Sequence, residues 1–371
     1  MNLKHFKLER YFARHEFSAK YMLSSSDCDG YSLADILSQA SSEERDIWDN
    51  MSFGYTETKG DIALRKSILQ YYKTDDPDKV IVASPGELNF IAMNVLLRPD
   101  DHVICVSPSY QSLYQIVKSL GAELSFWEPD GDTWEFDSAD LKALIKENTR
   151  LIITNFPHNP TGSYLTRDQL DEVIYIAAEH DIYIFSDEMY HKLMVSEYEE
   201  LPPISDLYDK GISLWGTSKT IGLAGLRLGW LVSQDQTVID QVEAFKDYLS
   251  ICNSRPSEVL TMIALNRIDA FIEPNIAKIK RNIEHFTTFA KAHPIISSFV
   301  PPKAGSTAYV GLDINTTAKE FSDQLVAETG IMTVPSEMFE DDRKYIRVGF
   351  GRKNFPMVLE ELSQYLEDQG R

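Results

Sequence analysis

The chain has 371 residues, 43% of them apolar, enough to fill the core of one large α/β domain with an appendage or of two subdomains. Its 36 lysines and arginines stand against 57 aspartates and glutamates, a net charge of −21; a nucleic-acid backbone or an anionic membrane is repelled unless positive charge is clustered, and there is no basic run. Cys28, Cys105 and Cys252 fit neither a disulfide framework nor a Cys-x-x-Cys metal spacing, the opening MNLKHFKLERYF is too charged for a leader core, and no apolar run approaches ~18 residues, so the expectation is a soluble, cytoplasmic protein.

From about residue 80 to 235, short β-branched runs alternate with helical periods, the pattern of parallel strands joined by crossover helices. SPGELNFIAMNVLL, from Ser84, reads as a helix with Pro85 at its first position and a Ser84/Glu87 capping box. The strands follow as HVICV at 102, AELSFW at 122, RLIITN at 150, DIYIFS at 181, GISLWG at 211 and RLGWLVS at 227. Between them, residues 167–180 place Leu170, Val173, Ile174 and Ala177 on one helical face behind Thr166 as N-cap. After about 240 a long helical stretch runs to about 292, interrupted near Pro256 and Pro274, and the strands STAYVGLDI and KYIRVGFG follow with helices around them, a smaller α+β unit.

In open α/β sheets ligands gather at the carboxyl ends of the strands. Here those ends carry NFPHNPTG, SDEMY and GTSK, and no strand is followed by a Rossmann or P-loop glycine pattern. The stretch GTSKTIGLAGLRLGW, 216–230, is flanked by apolar residues and expected to be largely buried, which raises the question of Lys219. Burial lowers an amine's pKa until it becomes a nucleophile toward an aldehyde. Alone, Lys219 reads as readily as a surface lysine near a helix start. Asp187 ends an apolar strand and calls for a partner such as a protonated ring nitrogen, or serves as an N-cap or loop acid.

Four segments in order, NPTG (159–162), SDEMY (186–190), SKTIGLAGLRLGW (218–230) and YIRVGF (345–350), resemble the signature segments of the class I/II aminotransferases, within the fold type I pyridoxal-phosphate enzymes. The similarity covers essentially the whole chain. It implies an aspartate-aminotransferase-like α/β fold: a mostly parallel sheet sandwiched by helices in a large cofactor domain, 46–270, an N-terminal arm with a small-domain contribution, 1–45, and a small α+β domain, 271–371. It also implies pyridoxal 5′-phosphate as cofactor, a small-molecule amino acid as substrate, no metal, and a homodimer with shared active sites.

The resemblance assigns roles. Lys219 carries the cofactor aldehyde as a Schiff base and then shuttles the Cα proton. Asp187 keeps the pyridine nitrogen protonated, Tyr190 and Asn159 hydrogen-bond the phenolic oxygen, and Tyr110 stacks on the ring. Arg227 pairs with the phosphate, to which Gly86 and Glu87 offer backbone N–H groups at a helix N-terminus, though a plain cap explains that helix start equally. Tyr55, in GYTETKG, reaches the neighbouring subunit's phosphate, and Arg347 grips the substrate α-carboxylate.

Gly216 departs from the family, because many members carry a phosphate-binding serine three residues before the lysine; Thr217 and Ser218 are the candidates to compensate. His158 and Glu188 identify no reaction, and no second arginine is assignable to a dicarboxylate. Residues 10–33, RYFARHEFSAKYMLSSSDCDGYSL, are similar to capreomycidine-synthase-like members of the fold, which eliminate a β-hydroxyl from a hydroxyarginine and close a ring. SSSDCDG then reads as a gate whose Asp27 and Asp29 pair with a guanidinium, or as two acids solvating a turn. The expected function is transamination of an unassigned amino acid; the alternative is elimination or cyclisation of a hydroxylated, arginine-like one. A non-catalytic cofactor-binding protein is a third reading, against which the presence of both Lys219 and Asp187 counts.

Overall fold

The computed structural model describes residues 3–369. Its largest sheet has seven strands, β1 (Val80–Ala83), β2 (His102–Val106), β3 (Glu123–Trp127), β4 (Thr149–Asn155), β5 (Tyr183–Asp187), β6 (Gly211–Gly216) and β7 (Gly229–Ser233), in the order β1-β7-β6-β5-β4-β2-β3. Strands β1, β2, β5, β6 and β7 are buried at every position, as a sheet covered on both faces requires. One face packs Ile81, Ile91, Leu113, Ile153 and Phe185 together, and the other packs Trp215 and Trp230 against Val82 and Ile263.

The strands from β3 to β6 pair in parallel, whereas β7 runs antiparallel to both β6 and β1. The sheet is thus mostly parallel, as expected, and β7 is the strand that runs against the rest. No crossover helix lies between β6 and β7; a tight loop, residues 217–228, turns the chain straight back, and that loop carries Lys219 and Arg227. Parallel pairing sets Asn155 beside Asp187, and Asp187 beside Leu214, so three chemistry-bearing loops leave the same edge.

The helix Arg167–Glu179 has the Thr166 cap expected of it, completed as a capping box by Gln169. Pro256 sits in the first turn of Arg255–Leu265, where a missing N–H costs little. Pro274, by contrast, does not interrupt the chain: the 24-residue helix Asp269–Ala292 runs through it and across residue 270. Only one intrahelical bond is forgone there, near the helix start, while Phe271, Ile272 and Ile279 anchor the helix by burial.

The second sheet is antiparallel, with strands in the order Val334–Pro335, Tyr345–Gly349, Thr307–Leu312 and Ile296–Phe299. The N-terminal arm is built into this part: Tyr21–Met22 pairs in parallel with Ile331–Met332, and Tyr21, Leu23 and Cys28 share a core with Phe286, Val310, Ile346 and Phe350. Ahead of it the helix Lys7–His15 buries Leu8 and Tyr11. Among the described residues no helix is long and apolar enough to cross a membrane.

Candidate active site

Asp187, at the end of β5, is 8% exposed, and its carboxylate receives one hydrogen bond, from the Met189 N–H at 3.2 Å. Burial pushes its pKa up to about 6, against the opposing pull of that N–H and of the Lys219 charge. The Asn155 side chain ties two loops together, donating to the Asp187 carbonyl at 2.9 Å and accepting from the Asn159 N–H at 3.0 Å. Tyr190 is buried with no hydrogen-bond partner for its hydroxyl. Burial holds that phenol above its ordinary pKa, and the charge of Arg347 pulls the other way.

Lys219 is partly buried and its Nζ lies 2.9 Å from Ser26 Oγ. Desolvation pulls the amine below the ordinary lysine value; Asp27 opposes that fall and Arg347 reinforces it. The surrounding stretch is less buried than its apolar flanks suggest, because Gly225 and Arg227 are exposed. Arg227 adopts a left-handed backbone, φ 53°, and its guanidinium bonds only the Ala224 carbonyl, at 3.3 Å. Its charge acts on both Tyr110 and Lys219.

The helix Pro85–Leu96 presents its N-terminus to the same region. Ser84 Oγ accepts from the Glu87 N–H at 3.4 Å, but the expected reciprocal bond is missing, and Glu87 Oε1 is buried without a partner. The capping box is thus half formed; the Glu87 charge acts electrostatically on Lys246, whose Nζ is held by the Thr58 and Ile251 carbonyls at 2.9 and 3.2 Å. At Gly86 a Cβ would meet nothing within 4 Å, so the backbone there faces open space.

The same packing explains Gly216. A Cβ at 216 would lie 2.9 Å from Gly229 Cα, 3.0 Å from the Leu228 carbonyl and 3.2 Å from Pro85 Cγ; the backbone of residues 228–229, with the proline ring beside it, fills the space that a serine needs. Gly216→Ser is therefore expected to lower stability by about 1–3 kcal/mol through overpacking, read as a fall in the denaturation midpoint; an unchanged midpoint would refute the packing argument. Thr217 does not compensate for the missing serine, since its hydroxyl is engaged by the Leu223 and Leu228 carbonyls at 3.2 and 3.0 Å. Ser218 is buried and makes no side-chain hydrogen bond within the described residues.

Arg347 is 1% exposed. Its Nε and Nη2 donate to the Ser24 carbonyl at 3.2 and 2.9 Å, and its Nη1 donates to Asn159 Oδ1 at 3.1 Å. The guanidinium also lies 5.8 Å from the Phe12 ring and 5.6 Å from the Phe339 ring. Tyr110, at the N-cap of the helix Gln111–Leu120, donates to Glu9 Oε1 at 2.7 Å and packs on Phe6.

Both acids of SSSDCDG are paired within the chain, so neither is left unpaired to meet a substrate guanidinium as expected. Asp27 pairs with Arg352 Nη2 at 3.0 and 3.1 Å, and Asp29 is taken up by Lys278 at 2.8 Å and the Lys353 N–H at 2.8 Å. Gly349 and Gly351 admit the arm backbone so closely that a Cβ would come within 1.8 Å of the Ser25 carbonyl and 2.4 Å of the Asp27 carbonyl. Asp29 is thus spent inside the protein, while Asp27 still acts electrostatically on Lys219. Tyr55 is not brought to this site by its own chain: it is 91% exposed and makes no hydrogen bond to these residues.

His158 and Glu188 serve the scaffold. His158 Nδ1 contacts Thr161 Oγ1 at 2.7 Å, and burial lowers its pKa to about 3. Glu188 accepts from the Ile204 N–H and Ser213 Oγ at 2.9 and 3.1 Å, with burial raising its pKa to about 8. Sequence reasoning missed the backbone of Ser24, the hydroxyl of Ser26, and Glu9, Phe12 and Glu16. The last three recur at i, i+3 and i+7 from Glu9, a spacing that lines one side of a helix.

The chain matches the family model for aminotransferase class I and II over residues 19–362. It is 28% identical to the capreomycidine synthase of Streptomyces vinaceus, over 98% of this chain and 95% of that one. A solved PLP-dependent aminotransferase from Streptococcus suis superposes with a TM-score of 0.92 at 31% identity, covering 99% of both chains. The PLP-dependent cyclase OrfR shares the fold with a TM-score of 0.90 at 24% identity, covering 100% of this chain and 98% of that one. On this match across nearly its whole length, the chain belongs to the class I and II aminotransferases and is an enzyme of that pyridoxal-phosphate-dependent family.

Proposed function

We propose that the chain transaminates an α-amino acid at the site formed by Lys219, Asp187, Tyr190, Asn159 and Arg347. The supporting observation is that Asp187, at the end of one strand, and Lys219, in the loop that leaves the adjacent strand, stand among groups short of partners: a Tyr190 hydroxyl without a hydrogen bond among the described residues and an Asp187 carboxylate with one donor. These fit the phenolic oxygen and ring nitrogen of pyridoxal phosphate. Arg227, Ser218 and the N–H groups of Gly86 and Glu87 would hold its phosphate. When bound, the cofactor supplies the electron sink for charge left at the substrate Cα.

The protein's part is positioning and proton handling. Lys219 would hold the cofactor through its amine and, once that amine is freed by the incoming amino acid, would take the Cα proton and return it, for which its lowered pKa suits it. Arg347 anchors the α-carboxylate, and Tyr110 covers the ring. Tyr55 belongs to an exposed apolar patch with Phe53, Tyr248 and Ile251, at 91%, 83%, 87% and 50% exposure. The two segments are joined by Lys246 and Thr56 contacts. A second copy covers such a patch, making the active unit a homodimer in which Tyr55 serves the neighbouring site. Three unpaired cysteines accord with a cytoplasmic setting.

A second reading, elimination or cyclisation on a hydroxylated, cationic amino acid, has its own support. Glu9, Asp27 and Glu16 all act electrostatically on or with Lys219, and Glu16 has its pKa raised by burial, then by Asp27 and Glu9. Such crowding of carboxylates is relieved by a positive side chain. Titrating the holoenzyme's absorbance with the common amino acids and hydroxyarginine decides between the two. Keto-acid formation with cofactor amination is expected for transamination; loss of water with the amine retained would replace it with the second reading.

A further inference from the structure

The run Ser24–Ser26 touches both ends of the site. The Ser24 carbonyl holds the Arg347 guanidinium at 2.9 and 3.2 Å, and two residues on, Ser26 Oγ lies 2.9 Å from Lys219 Nζ. Ser26 is the only hydrogen-bond partner of that amine among the described residues. The serine is not free to drift. Ser306 Oγ donates to the Ser26 carbonyl at 2.8 Å, Ser25 is seated against Gly349, and Asp27 is clamped by Arg352. The hydroxyl is therefore presented to Lys219 by a backbone pinned on three sides.

We infer that Ser26 is a positioning residue for Lys219: its hydroxyl holds the lysine amine whenever that amine is not bonded to the cofactor, in both its protonated and its neutral form. This rests on the reading of Lys219 as the cofactor-binding lysine. A lysine side chain is long and flexible, and a proton shuttle loses rate when its amine wanders from the reacting carbon. A serine hydroxyl both donates and accepts, so one rotating O–H serves either charge state without moving a heavy atom. Asp27, one residue on, would fix the ammonium alone, and its pairing with Arg352 keeps it from doing so.

Hydrogen bonds to a charged group are stronger than those between neutral groups, so the hydroxyl favours the ammonium. It works with Asp27 and Glu9 against burial, Arg347 and Arg227; Asp187 and Glu16 also lie within electrostatic reach of the lysine. Removing the hydroxyl must lower the amine's pKa further.

The test uses the full-length chain freed of cofactor. The rate at which pyridoxal phosphate is trapped on Lys219 by borohydride is measured across the lysine titration range, in wild type, Ser26→Ala and Ser26→Thr. The phosphate's own titration is common to all three. The expected midpoint of Ser26→Ala lies about one unit below wild type, and Ser26→Thr, which keeps the hydroxyl, stays at the wild-type value. An unmoved or raised midpoint in Ser26→Ala overturns the inference, as does a threonine variant that shifts as far as alanine. If wild type itself is not trapped at Lys219, it is the reading of that lysine that fails.

Discussion

Replacing Lys219 with alanine is expected to eliminate borohydride-reducible attachment of the cofactor and to lower turnover by about 10⁴-fold, the upper range for a lost acid–base group. Lys278 is committed to Asp29 at 2.8 Å, and Lys246 is held by two carbonyls. The phosphate contacts and Asp187 remain in the variant, so the cofactor is still bound but not bonded. On the proposed reading its single phosphate would be met by Arg227, Ser218 and the N-terminus of Pro85–Leu96, none of which depends on the lysine. Peptide mass mapping after reduction checks the result directly. An adduct recovered at wild-type stoichiometry on another residue would remove Lys219 from the mechanism.

Much of this site was readable because its chemistry is carried by short segments at strand ends. Asn155, Asp187 and Gly216 close three apolar runs, and parallel pairing of β4, β5 and β6 is enough to bring their loops together. What escaped depends on residues far apart in the chain. The arm reads as a turn with two acids until Arg352 and Lys278 are placed against Asp27 and Asp29, 325 and 249 residues away. Ser26 has no signal of its own, since a hydroxyl gains a role only from the lysine set opposite it.

Gly216 is instructive for the same reason. As a departure from the family it suggests a weakened phosphate grip, but the close backbone of Leu228 and Gly229, with the ring of Pro85, accounts for it sterically. Two local expectations failed where tertiary forces outweighed them. Glu87 leaves its capping box open within electrostatic reach of a buried Lys246, and Pro274 is carried inside a helix whose buried face holds it in place. The reversal of β7 was equally hidden, because the apolar run at 227 specifies a buried strand and says nothing of its direction.

Asp187→Asn is expected to separate stability from catalysis by moving them in opposite directions. In the cofactor-free protein the Asp187 carboxyl has a pKa of about 6 against 3.8 when unperturbed. Between those values the native state keeps a proton that the unfolded state has lost, so stability falls as pH rises through the window, and the penalty is complete above it. A shift of about two units corresponds to about 3 kcal/mol. Asparagine carries no such penalty. The cofactor-free variant should therefore match wild type near pH 4 and exceed its stability by up to about 3 kcal/mol near pH 8, measured as denaturation midpoints across pH. Turnover should fall by about 10³-fold, because a neutral amide cannot hold a proton on the ring nitrogen as a carboxylate does. Adding cofactor should narrow the stability gap, since a cationic ring nitrogen beside Asp187 turns a buried lone charge into a pair. Parallel pH profiles for the two cofactor-free proteins would show that Asp187 is not strained by burial, and retained turnover would show that it does not face the ring.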